Sequence, residues 1–353
     1  MCSAPSSSDQ RPARRGATYE VEVLNGLAPI CRGELATCLH GQAEVLDSKD
    51  PDRIAFEFSG KRSDLLALRT AVAVFEVLYF KVPHPGAIIS GLEGERLFEA
   101  IRSINTRGSF DSFRIGAAGS DSEVFRRAKR LIERHSGLRN DEDAGEMSIR
   151  FRRSRLHRFG WDVLLRLTPM PLSARGWRVE NMPGAVNATI AAAMVLLSQP
   201  KNEDRFLNLM CGSGTILAER AMMTGAKELV GLDISAEALA MAKRNLKAFP
   251  DVVLLQEDAT KLSLATGSMD VICSDLPWGR LIGDRDSLAA CYQQSLSEMT
   301  RVCSRGGRAI VLTQESGIFE GALEERQAEW TQRRSLRVTQ SDYKPKIYVL
   351  ERL

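Results

Sequence analysis

The sequence predicts an α/β protein whose C-terminal half is a doubly wound, mostly parallel sheet, preceded by smaller α+β units. Three observations carry that expectation. From residue 187 onward, short apolar runs alternate with helical segments of about ten to fifteen residues, the spacing of strands that lie parallel. The first of these runs, Arg205–Leu209, is followed by a turn with two glycines, Gly212-Ser213-Gly214. Three later runs end in acids: Asp233, Asp258 and Asp275.

The elements follow in order. Residues 1–17 are rich in Ser, Pro and Arg with no apolar segment, and read as a disordered tail. Residues 19–24 alternate apolar and acidic side chains, a strand pattern. Asn25-Gly26 opens a helical spacing over 27–39. Strands are expected at 43–46 and 54–58, a short helix at 64–69, and an apolar, β-branched run at 72–82. This unit closes near Pro83-His84-Pro85-Gly86. A helix over 91–105, a strand over 113–116, a helix over 122–135 and strands over 147–151 and 161–167 follow. Pro169 and Pro171 break the chain before a connector, residues 173–178. Beyond it come a helix at 187–197, strand 205–209, helix 215–224, strand 229–232, helix 236–247, and strands 252–256 and 269–273. A helix at 286–303 and strands at 308–312, 329–338 and 347–350 complete the series.

Composition bounds the function. The chain has 353 residues, room for two or three domains, with ordinary hydrophobic (44%) and charged (26%) fractions. No apolar stretch approaches the roughly 18 residues of a membrane span. The cysteines form no C-x-x-C pair. Cys31, Cys38 and His40 match no common zinc spacing and read as a helix with buried thiols, in a reducing cytoplasm. The net charge of +3 is uneven. Residues 107–178 carry 16 basic and 9 acidic side chains, a net of +7, whereas the segments on either side are each −2. The densest run is Arg150, Arg152, Arg153, Arg155 and Arg158, interleaved with His157 and Phe159, the composition of a nucleic-acid face.

The glycine loop lacks a third glycine and a Walker lysine, so phosphate cradling is poorly supported. It still lies where doubly wound folds bind ligands. Asp233 is suited to ribose hydroxyls and Asp258-Ala259 to an adenine amino group. The fourth strand ends in Ser274-Asp275-Leu276-Pro277-Trp278-Gly279. There a carboxylate accepts hydrogen bonds from an amino group, the proline fixes the preceding carbonyl, and the indole offers a flat face to a base. Glycine loop, acid, acid, then Asp-Leu-Pro-Trp is the ordered layout of an S-adenosylmethionine methyltransferase acting on an exocyclic amine. A nicotinamide enzyme would share the first two features and has no use for the fourth.

With those residues in view, the chain resembles the THUMP-domain tRNA guanosine N2-methyltransferases, in particular the branch that modifies guanosine 6 of the acceptor stem. The resemblance rests on Cys211-Gly212-Ser213-Gly214-Thr215, Asp275-Leu276-Pro277-Trp278-Gly279, the connector residues 171–178, Pro183-Gly184-Ala185-Val186 and Tyr343-Lys344-Pro345-Lys346-Ile347-Tyr348. It implies a ferredoxin-like domain (18–86), a THUMP RNA-binding domain (87–170), a connector (171–182) and a Rossmann-like, seven-stranded class I methyltransferase domain (183–353). It implies S-adenosylmethionine held by Pro183, Ala185, Asn208, Cys211, Gly212, Ser213, Gly214, Asp233, Ile234, Asp258 and Ala259. Asp275, Leu276, Pro277 and Trp278 would handle the target amine and base. Arg150, Arg152, Arg153, Arg155, Arg158, Arg280 and Arg285 would meet the tRNA, at its acceptor stem and 3′ end. The implied protein is a cytoplasmic monomer without metal or membrane. Three positions depart from the family pattern: Asn208 stands where Asp is usual, Met210 where Pro or Phe is common, and Leu276 where the first of two prolines stands. The alternatives are a ribosomal RNA guanosine-N2 or DNA adenine-N6 methyltransferase, or an RNA-binding scaffold with an inactive methyltransferase fold.

Overall fold

The structure, a computed structural model, describes residues 16–46, 50–106, 108–279 and 285–353. Of the tail expected over 1–17, only residues 16 and 17 fall within it, and Ala17 already opens the first strand. The first unit runs β1 (Ala17–Val23), α1 (Ala28–Cys38), β2 (Ala43–Val45), β3 (Arg53–Phe58), α2 (Arg62–Leu65) and β4 (Ala71–Phe80), with its strands antiparallel in the order β2-β3-β1-β4. The second runs α3 (Pro85–Ile88), α4 (Gly91–Ile104), β5 (Ser112–Gly116), α5 (Glu123–Ser136), β6 (Arg139–Asn140), β7 (Met147–Arg153) and β8 (Trp161–Arg166).

The Pro-rich stretch at 83–86 marks a boundary in sequence but not a break in the sheet. The far edge of β4 pairs with β8, Phe75 opposite Arg166 through Phe80 opposite Trp161. Both units therefore share one eight-stranded sheet, β2-β3-β1-β4-β8-β7-β5-β6. Strand β4 is buried along most of both faces, which explains its continuous apolar run. Of the thiols expected inside α1, Cys31 is buried and Cys38, in its last turn, is exposed.

The third unit runs α6 (Ala188–Leu197), β9 (Arg205–Leu209), α7 (Thr215–Met223), β10 (Glu228–Asp233), α8 (Ala236–Asn245), β11 (Val252–Gln256), β12 (Met269–Asp275), α9 (Arg285–Val302), β13 (Cys303–Thr313), α10 (Ser316–Glu324), β14 (Trp330–Arg337) and β15 (Lys346–Arg352). Its seven strands lie in the order β11-β10-β9-β12-β13-β15-β14. The β11-β10-β9-β12-β13 pairings are parallel, and β15 runs antiparallel to both neighbours. From β9 the chain moves outward through β10 and β11, then returns to place β12 on the other side of β9. That reversal opens a crevice at the carboxyl ends of β9 and β12, where open α/β sheets bind ligands.

Helix α6 is apolar all round and buried from Ala188 to Val195, because it is packed on every side. Its residues share one core with Tyr19, Val21 and Leu35 of the first unit and with Phe206 and Ile216 beside the crevice. A buried ion cluster crosses the same seam. Glu219 on α7, fully buried, accepts from Arg69 Nε (2.6 Å) and Nη2 (3.0 Å) and from Arg175 Nε (2.8 Å). The first unit is thus anchored directly to the helix that follows the glycine loop.

Candidate active site

The glycine loop turns on three left-handed residues: Met210 (φ +53°), Gly212 (φ +52°) and Gly214 (φ +82°). Gly214 has a second constraint, since a Cβ there would lie 2.9 Å from Leu246 Cδ1 on the end of α8. Gly212 N–H donates to Asp233 Oδ2 (2.8 Å), and Ser235 N–H donates to Asp233 Oδ1 (2.9 Å). The acid ending β10 thus braces the loop as well as facing the crevice mouth. Ile234 beside it is 67% exposed, an apolar side chain held outward on the rim. Asp258, after β11, is exposed, and its Oδ1 accepts from the backbone and hydroxyl of Thr260, while Ala259 is buried. Burial pushes the Cys211 thiol far up, so it is a neutral wall and not a nucleophile.

Two polar atoms on the floor of this loop lack partners. Asn208 is fully buried and donates from Nδ2 to the Cys273 carbonyl (3.0 Å), yet its Oδ1 accepts nothing. Ser213 Oγ is buried and likewise unpaired. Such orphans are uncommon and call for an explanation, of which a ligand is one. The connector closes the near side. Arg178 donates to the Val186 carbonyl (3.0 Å) and Thr215 Oγ1 (2.7 Å). Asn245 Oδ1 accepts from Val179 and Glu180 N–H, and its Nδ2 donates to the Ser213 carbonyl. Pro183 is exposed and Ala185 half-buried; Met182 Sδ lies 3.6 Å from where a Cβ on Gly212 would sit.

The crevice's other wall is the end of β12. Asp275 closes the strand, and the residues packed around it desolvate its carboxyl, lifting it from the ordinary 3.8 to about 7. The Trp278 indole N–H works against this, donating to Asp275 Oδ1 (3.1 Å). Leu276 is buried, and its N–H bonds the Leu312 carbonyl (2.9 Å). The Pro277 carbonyl accepts from Tyr292 Oη (2.7 Å), whose oxygen also meets Thr313 Oγ1 (2.6 Å). The Asp-Leu-Pro-Trp segment is therefore held from β13 and α9. The Trp278 ring, expected to offer its face to a base, lies 5.3 Å from Tyr343 in the β14–β15 loop. Tyr343 entered the sequence reading only as part of a family resemblance.

The arginine run splits into two groups. Arg152 donates to both oxygens of Glu20 (2.9 and 2.5 Å) and Arg150 to Glu22 (2.9 Å), side chains of β1. Arg155 pairs with Asp50, and Arg153 sits over the Trp161 ring. Arg158 is exposed with no ion pair to a described residue. Arg285 begins α9 and is exposed; Arg280 lies outside the described residues. The strand order, which sequence spacing does not reveal, brings the acids of β1 within reach of β7.

The strand order is that of the class I, Rossmann-like methyltransferase fold. Residues 175–346 match the family UPF0020, described as the RMKL-like methyltransferase domain. Among curated proteins, the chain is 31% identical over 192 residues to a tRNA (guanine(6)-N2)-methyltransferase of Methanocaldococcus jannaschii, covering 43% of this chain and 50% of that one. It is 35% identical over 133 residues to the human U6 snRNA (guanine-N(2))-methyltransferase THUMPD2, covering 37% and 26%. The chain thus spans half or less of the curated relatives described. Among solved structures it resembles TrmN from Thermus thermophilus, with a TM-score of 0.75 at 23% identity over 95% of this chain and 99% of that one, a likeness of fold.

Proposed function

We propose that this protein transfers a methyl group from S-adenosylmethionine to the exocyclic N2 of guanosine in tRNA, at position 6 of the acceptor stem. The observation that carries the reading is Asp275: an acid lifted to about 7 at the end of β12, beside the crevice that the glycine loop opens. The guanosine-N2 specificity named for the archaeal relative supports the choice of atom.

The loop residues fit the cofactor. The unpaired Asn208 Oδ1 and Ser213 Oγ want hydrogen-bond donors, which a methionine ammonium supplies. Asp233 would take the ribose hydroxyls, Ile234 and Ala259 the adenine faces, and Asp258 the adenine amine. Cys211, Gly212, Gly214, Pro183 and Ala185 would line the rest. Bound there, the cofactor supplies a methyl already activated on a sulfonium. The rest is done by this chain. The Asp275 carboxylate and the Leu276 carbonyl accept the two amine hydrogens, turning the nitrogen lone pair outward. Pro277 fixes the direction of that carbonyl, and Trp278 stacks on the base. Placement of the reacting atoms within about 3–3.5 Å provides much of the remaining acceleration. Asp275 takes the proton as the amine becomes cationic.

The βαββαβ order of the first unit, with strands β2-β3-β1-β4, supports a ferredoxin-like domain over 18–86. We assign 87–170 as the THUMP RNA-binding module, 171–182 as the connector and 183–353 as the catalytic domain. We take the protein as a cytoplasmic monomer; no helix among the described residues is long and apolar enough to cross a membrane. A second substrate, another RNA guanosine, is favoured by the U6-specific name of the human relative. Mass spectrometry of nucleosides from tRNA, U6 RNA, ribosomal RNA and DNA incubated with protein and cofactor decides among them. N2-methylguanosine in tRNA alone is the expected result. Asp275→Ala should abolish it while cofactor binding by calorimetry survives; turnover in that variant would remove Asp275 from the mechanism.

A further inference from the structure

The β14–β15 loop, residues 338–345, delivers an aromatic ring to the target side of the crevice. Its backbone is tied on several sides. Gln340 and Tyr343 exchange both backbone hydrogen bonds (3.0 Å each), and Val338 N–H donates to the Pro345 carbonyl (3.0 Å). Thr339 N–H reaches the Asn25 carbonyl of the first unit (3.0 Å), and Lys344 N–H reaches Gln314 Oε1 (3.1 Å). The Gln340 side chain accepts from Asn187 N–H (3.1 Å), next to the segment placed at the cofactor. The backbone that carries Tyr343 is therefore held in place.

The opposite ring, Trp278, packs on the core at one side and is held differently. Trp278 holds Asp275 by one N–H and is followed by Gly279 at φ +74°, a pivot few other residues allow. The Tyr343 and Trp278 rings stand at 58°, their centroids 5.3 Å apart: a wedge, not a stack. Atoms of stacked rings meet at about 3.5–4 Å, so a base between two rings needs them about 7 Å apart. Entry of a base must move Trp278, and that takes its N–H from Asp275 Oδ1.

We propose that Tyr343 is the second aromatic wall of the target-base pocket, and that a base entering between Tyr343 and Trp278 releases Asp275 from the indole to meet the amine. This rests on the methylation reading above and adds a residue and a sequence of events to it. The test uses the full chain, Tyr343→Phe and Tyr343→Leu, and a tRNA with 2-aminopurine replacing guanosine 6. Tyr343→Phe keeps the ring face and should keep kcat/KM within about 2-fold. Tyr343→Leu should lower kcat/KM by roughly 5- to 150-fold, the loss of one base–aromatic stack. Cofactor affinity by calorimetry should be unchanged in both. On binding, 2-aminopurine should be quenched by the wild type and Tyr343→Phe and brighter with Tyr343→Leu. Equal emission with all three proteins, equal turnover of the leucine variant, or equal loss in both variants overturns the wall. A wild type that quenches 2-aminopurine yet makes no N2-methylguanosine refutes the methylation reading and leaves the wall standing.

Discussion

Asp275→Asn separates the electrostatic cost of this site from its chemistry. The amide is isosteric and its Oδ1 still accepts the Trp278 N–H, so packing is kept and only the ionisable proton is removed. In the wild type, burial raises the carboxyl from 3.8 to about 7. A shift of about 3 units at about 1.36 kcal/mol each sets a ceiling of about 4 kcal/mol. Because the side chain is partly exposed at the crevice, about 2–4 kcal/mol is the expected range. The unfolded chain gives up this proton near pH 3.8, whereas the native chain keeps it to about pH 7. Native stability therefore falls, relative to Asp275→Asn, as pH rises through that window, and the difference levels off above about 7. Melting temperatures of both proteins, measured from about pH 5 to about pH 9, should diverge up to about pH 7 and run parallel beyond, with the variant higher. The same proton governs turnover: wild-type kcat/KM should rise with pH and level near 7, as the carboxylate becomes able to accept the amine hydrogens. Parallel melting curves throughout, or a flat wild-type rate profile below pH 7, would refute the argument.

Two further predictions concern the seams between units. Glu219→Gln removes the charge that Arg69 and Arg175 share, and breaking a buried pair of this kind should cost about 3 kcal/mol, read as a lowered melting temperature and faster proteolysis between the first unit and α7. The arginine run should divide as its geometry does. Arg158→Ala should lower the slope of log affinity for tRNA against log salt by about 0.9, the loss of one phosphate contact. Arg152→Ala should leave that slope unchanged and lower the melting temperature instead, because the buried Glu20 then keeps only Arg53 of its two arginine partners.

Much of the third unit was legible because most of its strands carry a short apolar run and the glycine loop and the three acids follow the ends of four of them. The helical periodicity of α7 and α8 and the acids at 233, 258 and 275 need no knowledge of what they touch. Helix α10 has no counterpart in the sequence analysis, since Gly317 and Gly321 weaken its helical signal; it is held by Phe319 and Ala322 packed in the core of the seven-stranded sheet. Strand β6 is two residues long, too short for any pattern, and exists because β5 offers an edge. The continuity of the eight-stranded sheet depends on β4 pairing with β8, a long-range contact that leaves no local trace. The same blindness affected the arginines. Five basic residues in nine positions look like one surface, yet Arg150 and Arg152 are drawn to Glu22 and Glu20, far earlier in the chain.

The site shows the same division between composition and contact, and it bears on how Asp275 works. Two opposing influences act on the resting carboxyl: burial raises its pKa and the Trp278 N–H lowers it. Taking that N–H away without replacement would favour the protonated acid, which accepts hydrogen bonds poorly and cannot receive the amine proton. Base entry does not leave it without a donor. The exocyclic amine brings its own N–H to the oxygen that the indole vacates, and a donor to the charged form restores the carboxylate. An acid poised near 7 is thus well placed to be ionised by the substrate it serves. On this account the Trp278–Asp275 contact holds the site ready, and a flat ring inserted into the aromatic wedge with Tyr343 breaks it.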